Sequence, residues 1–223
     1  MKIAVCFSGQ LRSLERTHKN LINFLEKSFG SYQTFAHVPH DENSNNFLEY
    51  FKKATVVIEK DPKIRKTKLK NKQFETVKHK FGSLKKAKIA HMQQLYGIYR
   101  SNSLKTEYEI KNNTKFDWVV RCRSDLLFYN NYLDLTTLNK EKIFTANFHH
   151  FGGINDRVVI GSSKNMDIFS NLYIHIQKHK VSGFNAENIF KNYLTEMNIS
   201  TDTINTINFN RVKLNGDELQ DFQ

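Results

Sequence analysis

The stretch FDWVVRCRSDLLFY, residues 116–129, begins as an apolar run and then becomes charged. Its first half has the length and the β-branched and aromatic content of a buried β-strand. Arg121, Arg123 and Asp125 follow at alternate positions, which predicts that they share one side of an extended chain, with Cys122 and Ser124 on the other. Buried charges are costly unless they are paired or bind something. The stretch therefore predicts either a structural ion-pair cluster or an anion site, and the surplus positive charge favours the site.

The chain before this stretch alternates between strand and helix patterns. The predicted strands are IAVCF, YQTFAHV and ATVVIE, and the predicted helices are ERTHKNLINFLEKSF, NNFLEYFKK and a long one over about 84–110. Strands that alternate with helices are typical of a parallel or mostly parallel sheet. The length of 223 residues suits one α/β domain.

The chain after this stretch continues the alternation less regularly. It predicts strands at KIFTANF and RVVIGSS, a glycine-rich loop at FGGIND, single helices at MDIFSNLYIHIQKH and NAENIFKNYLTEM, and an edge strand at TINFNRVKLNG.

Composition limits the classes of protein. Hydrophobic residues make up 39% and aromatic residues 13%, which excludes a disordered chain. The formal net charge of +12 predicts attraction to nucleic acid, to an anionic membrane surface or to a phosphorylated ligand. Much of the excess positive charge lies in segment 60–88. The simplest interpretation of this segment is a solvated face that steers anions toward the protein.

Cysteine use and apolar runs indicate the compartment. Cys6 and Cys122 lie within apolar runs and predict buried thiols in a reducing compartment. The N-terminal apolar run is short for a signal peptide, and no stretch approaches the ~18 apolar residues of a membrane span. We therefore expect a soluble protein of the cytoplasm.

Two loops that follow predicted strands carry candidate binding groups. In an open α/β sheet, ligands bind at the carboxyl ends of the strands. Ser8, Gly9 and Gln10 offer backbone donors there, and Arg12 offers a guanidinium, which together suit a phosphate or a nucleobase edge. A plain turn is the alternative. At the second strand end, Asp125 could hold a divalent metal.

The second half of the chain supplies candidate acids. Gly153, with the glycine before it, allows close backbone approach, and Asp156 follows; a simple turn is the alternative. Glu187 lies in the first turn of a predicted helix, where the helix dipole favours a carboxylate without any catalytic role. His149 and His150 lack further metal-ligand spacing and are candidate substrate contacts only.

The order of these motifs resembles a family. The blocks that carry the resemblance are IAVCFSGQLRS, YQTFAHVPHD, MQQLYGIYRSNSLKTEYE running into FDWVVRCRSDLLF, FGGINDRVVIGSSKNMDIFSNLY, NAENIFKNYL and FNRVKLNG. In this order they resemble small nucleotide-sugar glycosyltransferase domains of bacterial capsule or surface-polysaccharide loci and of large DNA viruses. The resemblance covers nearly the whole chain except the basic segment.

The resemblance implies a GT-A type fold, with a nucleotide-sugar-binding half at about 1–128 and an acceptor-binding half at about 129–223. It implies nucleotide or donor contacts at Ser8, Gly9, Gln10, Arg12, Arg121, Arg123, Asp125 and Gly153. It also implies Mn²⁺ or Mg²⁺ at Asp125, although Arg123 stands where such domains carry the first acid of their DxD motif, and a guanidinium can neutralise a diphosphate without metal. Glu187 resembles the catalytic base of inverting enzymes, with Asp156 as the second candidate.

The implied activity is transfer of a hexose or deoxyhexose from a nucleotide sugar, with UDP as the expected nucleotide, to a saccharide acceptor in glycan or surface-polysaccharide synthesis. A basic nucleic-acid-binding module and an inactive GT-A scaffold are the alternatives. We expect no nucleic-acid partner, while contact between segment 60–88 and a membrane stays open.

Overall fold

A seven-stranded mixed sheet runs through the protein in a computed structural model that describes residues 1–11, 13–41, 43–60, 62, 64–129 and 132–219. The strands are β1 Ile3–Ser8, β2 Gln33–Pro39, β3 Thr55–Glu59, β4 Trp118–Cys122, β5 Leu126–Phe128, β6 Lys142–Ala146, β7 Val158–Gly161, β8 Ser200–Ile204, β9 Phe209–Val212 and β10 Glu218–Leu219. The helices are α1 Leu14–Phe29, α2 Ser44–Tyr50, α3 Lys78–Phe81, α4 Leu84–Lys111, α5 Ser163–Ser170, α6 Leu172–Lys178 and α7 Ala186–Glu196, and a 3-10 helix spans Asn71–Val77.

The large sheet has the order β3-β2-β1-β4-β7-β6-β8. The pairs β3–β2, β2–β1, β1–β4 and β6–β8 are parallel, whereas β7 is antiparallel to both of its neighbours. The predicted α/β class with a mostly parallel sheet is confirmed. Strands from both the first and the second half of the chain share this one sheet.

Helices cover both faces of the large sheet, and the alternation of β1 shows why. Val5 and Phe7 pack with α1 and α2, whereas Ala4 and Cys6 pack with α4 to α7. A central strand covered on both faces is apolar at every position, as IAVCF is. Cys6 and Cys122 are buried free thiols, as predicted, and burial raises the pKa of each to about 12.

The longest helix, α4, spans 28 residues and agrees with the predicted long helix to within one residue. It begins at Ser83, whose side chain accepts a hydrogen bond from the backbone N–H of Lys86 at 3.2 Å, a typical N-cap. The strands β1 and β2 both contact this helix. It therefore carries side chains across the face of the sheet to the carboxyl ends of these strands.

Two predictions for the second half of the chain are wrong, and one strand was missed. The apolar spacing predicted one helix over 166–179, but the chain forms α5 and α6, which meet at Asn171. The predicted edge strand of the tail is β9, which lies between β5 and β10 in a separate three-stranded sheet. The strand β8 was not predicted, because STDTI is exposed at four of its five positions and lacks an apolar pattern.

In the described part of the chain, none of the helices combines the length and the apolar character that crossing a bilayer requires.

Candidate functional site

Polar side chains collect at the edge of the sheet where β1 to β4 end. Because β7 runs in the opposite direction, it begins at this same edge, and Val158 pairs with Cys122 at the end of β4. The loop before β7 and the first turn of α7 are joined there by a hydrogen bond from the Ile154 N–H to the Glu187 carbonyl at 3.2 Å. We call the group Ser8–Gln10, Arg121–Asp125, 155–157 and Glu187 the strand-edge site.

The loop after β1 lies directly under α4. A side chain at Gly97 of this helix would approach the Ser8 Cβ to 3.3 Å and the Gly9 nitrogen to 3.9 Å, so the helix contacts the loop closely. Gly9 has a φ of 113°, a conformation that favours glycine. The Ser8 hydroxyl is buried and has no hydrogen-bond partner among the described residues. Arg12, the fourth residue predicted in this loop, lies outside the described residues.

Arg123 and Asp125 form a bidentate ion pair. The Nε and Nη2 atoms of Arg123 donate to the two carboxylate oxygens of Asp125 at 2.8 and 2.5 Å. Burial alone would raise the pKa of Asp125, but the Arg123 guanidinium outweighs it and the pKa is lowered, so the group is a carboxylate. This loop is tied to the first one, because the Ser124 hydroxyl donates to the Gln10 carbonyl at 3.1 Å.

The strand β4 ends at Cys122, so the strand alternation on which a common face of the three charges was predicted does not reach Arg123 and Asp125. Arg121 is only 2% exposed, and its Nη1 donates to the carbonyl oxygens of Asp156 and, at 2.9 Å, of Arg157. Burial lowers the pKa of this guanidinium. Arg121 therefore joins the end of β4 to the loop before β7 and acts on the site mainly through its charge.

The FGGIND loop packs along the first turn of α7. A Cβ at Gly153 would overlap the backbone carbonyl group of Glu187, so only glycine fits at this position. Asn185 caps the helix, and its side-chain nitrogen donates to the Phe151 carbonyl at 2.9 Å. In the structure Gly153 serves helix packing, and its predicted contact with a donor sugar stays a prediction.

This packing brings Glu187 close to Asp156, and the pKa of Glu187 is raised. Burial is the main cause that raises this pKa, from its usual 4.5 to about 7, and the negative charge of Asp156 adds to the effect. Asp156 is itself buried and accepts a hydrogen bond from the Gln94 side chain of α4. The two predicted acids are thus brought together. Glu187 is the one whose environment suits proton transfer near neutral pH.

Sequence reasoning missed the contribution of α4 to the site. Besides Gln94, the helix places His91 between the rings of Phe74 and Phe190, at centroid distances of 5.5 and 6.4 Å. Burial lowers the pKa of His91 to about 4, so it is neutral at physiological pH. Gln94 follows His91 by three residues, which places both on one helix face, but within an apolar pattern this spacing carries no distinct signal.

A hydrogen-bonded group at the ends of β2 and β3 was also missed. The carboxylate of Glu59 accepts from Tyr96 and lies 2.9 Å from the His37 ring nitrogen Nε2. His37 pairs in register with Ser8. Next to this group is a cavity of about 720 Å³, whose lining includes Tyr99 and Arg100.

The two predicted histidines lie in a turn, which leaves their contact with a substrate a prediction. His149 has a φ of 52°, and the carbonyl of His150 accepts from the Gly153 N–H at 2.7 Å, so both belong to the turn of the FGGIND loop.

Among the residues that the structure describes, no three His, Cys, Asp or Glu side chains group as metal ligands. Asp125 uses both oxygens for Arg123, and this pair as it stands does not fit a divalent cation, which needs several oxygen ligands.

The model of the family described as Domain of unknown function (DUF7796) matches residues 1–211. The chain belongs to the DUF7796 family. Every residue of the strand-edge site lies within the matched range. A comparison with curated proteins finds no match to this DUF7796 chain.

Proposed function

We propose that this DUF7796 chain is a glycosyltransferase that moves a sugar from a nucleotide sugar to a saccharide acceptor. One observation carries the proposal: Glu187, a carboxyl group with a pKa raised to about 7, lies beside Asp156 at the sheet edge where the Ser8–Gln10 loop and Arg123 also lie. A base for a hydroxyl group and a cation for a leaving diphosphate are the two groups that glycosyl transfer needs.

The proposed reaction is an inverting transfer. The carboxylate of Glu187 takes the proton of an acceptor hydroxyl, and the acceptor oxygen forms a bond with the anomeric carbon of the donor sugar. The bond between this carbon and the diphosphate oxygen breaks, and the nucleoside diphosphate leaves with the electron pair. The guanidinium of Arg123 stabilises the charge that develops on the leaving group, and buried Arg121 adds to the positive potential.

The positions of these residues along the chain support the roles proposed for them. The Ser8–Gln10 loop and Arg123 come from residues 1–128, the proposed nucleotide-sugar half, whereas Asp156 and Glu187 come from residues 129–223, the proposed acceptor half. One continuous sheet carries both groups, which is compatible with a GT-A type fold. A UDP-linked hexose or deoxyhexose as donor, and surface-polysaccharide synthesis as the process, belong to the proposal.

The proposed steps use no metal, because Arg123 already occupies the oxygens of Asp125. A requirement for Mn²⁺ or Mg²⁺ stays a prediction. If a cation binds at Asp125, Arg123 must release this carboxylate, and the protein should then bind UDP more tightly with Mn²⁺ than with EDTA.

The test is a thermal-shift panel of nucleotide sugars, each with Mn²⁺ and with EDTA, followed by product analysis of every donor that stabilises the protein. We expect stabilisation by one nucleotide class and loss of turnover in Glu187→Gln. The matched control is Glu141→Gln, which removes an exposed carboxylate just before β6, at the opposite edge of the sheet. Tight binding of random-sequence RNA without any nucleotide binding would support the nucleic-acid module instead. Donor binding without turnover in any acceptor mixture would support the inactive scaffold.

A further inference from the structure

A second concave surface lies away from the strand-edge site, between the start of the 3-10 helix and the loop that leads to α7. It encloses about 460 Å³ and is lined by the lysines Lys68, Lys70, Lys72 and Lys180, with Glu196 as its acid. We call it the lysine pocket. The rest of its lining is formed by Gln73, Val181, Ser182, Gly183 and Asn192.

Hydrogen bonds fix the walls of the lysine pocket. The backbone N–H of Lys68 donates to the Ile176 carbonyl of α6 at 2.7 Å. The Gln73 side chain donates to the carbonyls of Val181 and Gly183 at 3.0 and 3.1 Å. The lysines of the basic segment are therefore attached to a backbone that is held against α6 and the following loop, which limits the entropy that binding must overcome.

The positive charge of the pocket is not neutralised within the protein. Among the residues that the structure describes, none of the four lysine ammonium groups takes part in an ion pair, and Glu196 lies 3.4 Å from a ring nitrogen of His175. Four like charges around one concavity repel one another and create a positive potential that attracts anions.

The lining distinguishes between classes of anion. Binding of single-stranded nucleic acid relies on aromatic side chains on which bases stack, and the residues that line the pocket include none. The volume suits one phosphate-bearing group, for which lysine is a common ligand. Amide side chains at Gln73 and Asn192 add polar groups to the rim.

We propose that the lysine pocket binds a phosphate ester, either the head group of an anionic phospholipid or a soluble phosphorylated compound. Thr76 of the 3-10 helix donates to the Phe184 carbonyl at 3.1 Å, which holds this helix against the segment just before the cap of α7. The inference does not rest on the proposed glycosyl transfer, and its test measures binding without turnover.

The test compares two triple variants of the full chain. Lys70→Gln, Lys72→Gln and Lys180→Gln together remove three of the four positive charges of the pocket. The control Lys19→Gln, Lys52→Gln and Lys53→Gln removes the same charge from exposed lysines of α1 and of the turn after α2, on the opposite face of the sheet. Circular dichroism verifies that both variants fold. If the pocket variant unfolds, the single Lys180→Gln replaces it, with Lys19→Gln as its control.

Inorganic phosphate and phosphatidylcholine vesicles with and without phosphatidylglycerol are titrated as the two ligands, and random-sequence RNA is titrated for comparison. We expect the pocket variant to bind phosphate or the anionic vesicles about 100-fold more weakly than the control, from the loss of three lysine contacts. Weaker binding to vesicles alone identifies the lipid head group, and weaker binding to free phosphate identifies a soluble ester. Equal binding of both ligands by the two variants overturns the proposal, as does a defect confined to RNA binding.

Discussion

Replacing Glu187 with glutamine should stabilise the protein above neutral pH and, if the proposed transfer takes place, strongly lower its turnover. Burial and the nearby Asp156 raise the pKa of Glu187 from 4.5 to about 7, so folding favours its protonated form. The folded state therefore binds more protons than the unfolded state between these two pH values. The stability that protonated Glu187 contributes is complete below pH 4.5 and is lost as the pH rises to about 7. Glutamine resembles the protonated acid at every pH.

The magnitude follows from the size of the shift. A pKa raised from 4.5 to about 7 corresponds to ~3 kcal/mol of differential stability. Partial exposure of the carboxylate to solvent reduces this value to about 2 kcal/mol. We expect Glu187→Gln to increase the free energy of unfolding by about 2 kcal/mol at pH 8, and to change it little at pH 4.

The assay is urea denaturation of the wild type, Glu187→Gln and the control Glu141→Gln at several pH values from 4 to 8. The difference between wild type and Glu187→Gln should grow between pH 4.5 and about 7 and then level off. A difference that is constant across this range would refute the argument from burial. If Glu187 is also the catalytic base, turnover of the wild type should rise with pH through about 7 and fall by about 10²- to 10⁴-fold in the variant.

Three further perturbations address other contacts. Gly153→Ala should destabilise the protein by about 3 kcal/mol or more in urea denaturation, because the Cβ of the alanine overlaps the backbone of Glu187. An unchanged free energy of unfolding would show that the loop and α7 separate easily. The ammonium of Lys105 is buried and contacts Glu109 at 3.2 Å and Asp167 at 2.7 Å. Lys105→Met removes these contacts and should lower the free energy of unfolding by about 3–5 kcal/mol in the same assay. A decrease below 1 kcal/mol would contradict a net role for this charge cluster. Arg123→Ala should weaken UDP binding, measured by calorimetry, by about 10- to 100-fold, whereas Lys19→Ala should not, and equal affinities would remove Arg123 from the proposed site.

The large sheet was predictable because its central strands are covered on both faces. IAVCF and WVV are apolar runs for this reason, and each is followed by polar residues near the edge of the sheet. The separation of α5 from α6 was not predictable, because apolar residues continue at helical spacing on both sides of Asn171. The exposed strand β8 was missed because pairing with β6, and not its own side chains, defines it.

The candidate site was predictable only for residues that follow strands or begin helices. Positions at strand ends and helix starts pointed to Asp125 and Glu187. In contrast, other residues and contacts of the site come from elsewhere in the fold. Gln94 and His91 lie inside a helix pattern, and the overlap that requires glycine at position 153 depends on the docking of α7. Such contacts arise from tertiary packing, which local sequence patterns do not encode.

Helix α4 contacts both the strand-edge site and α5. Gln94 and Gly97 of this helix contact the strand-edge site, and Lys105 of the same helix donates a hydrogen bond to Asp167 of α5. Eight residues separate Gly97 from Lys105, a distance of ~12 Å along a helix. A mutational screen that measures only activity would therefore score Lys105 as if it belonged to the strand-edge site. Distinguishing the two kinds of defect requires that stability and turnover be measured on the same variants.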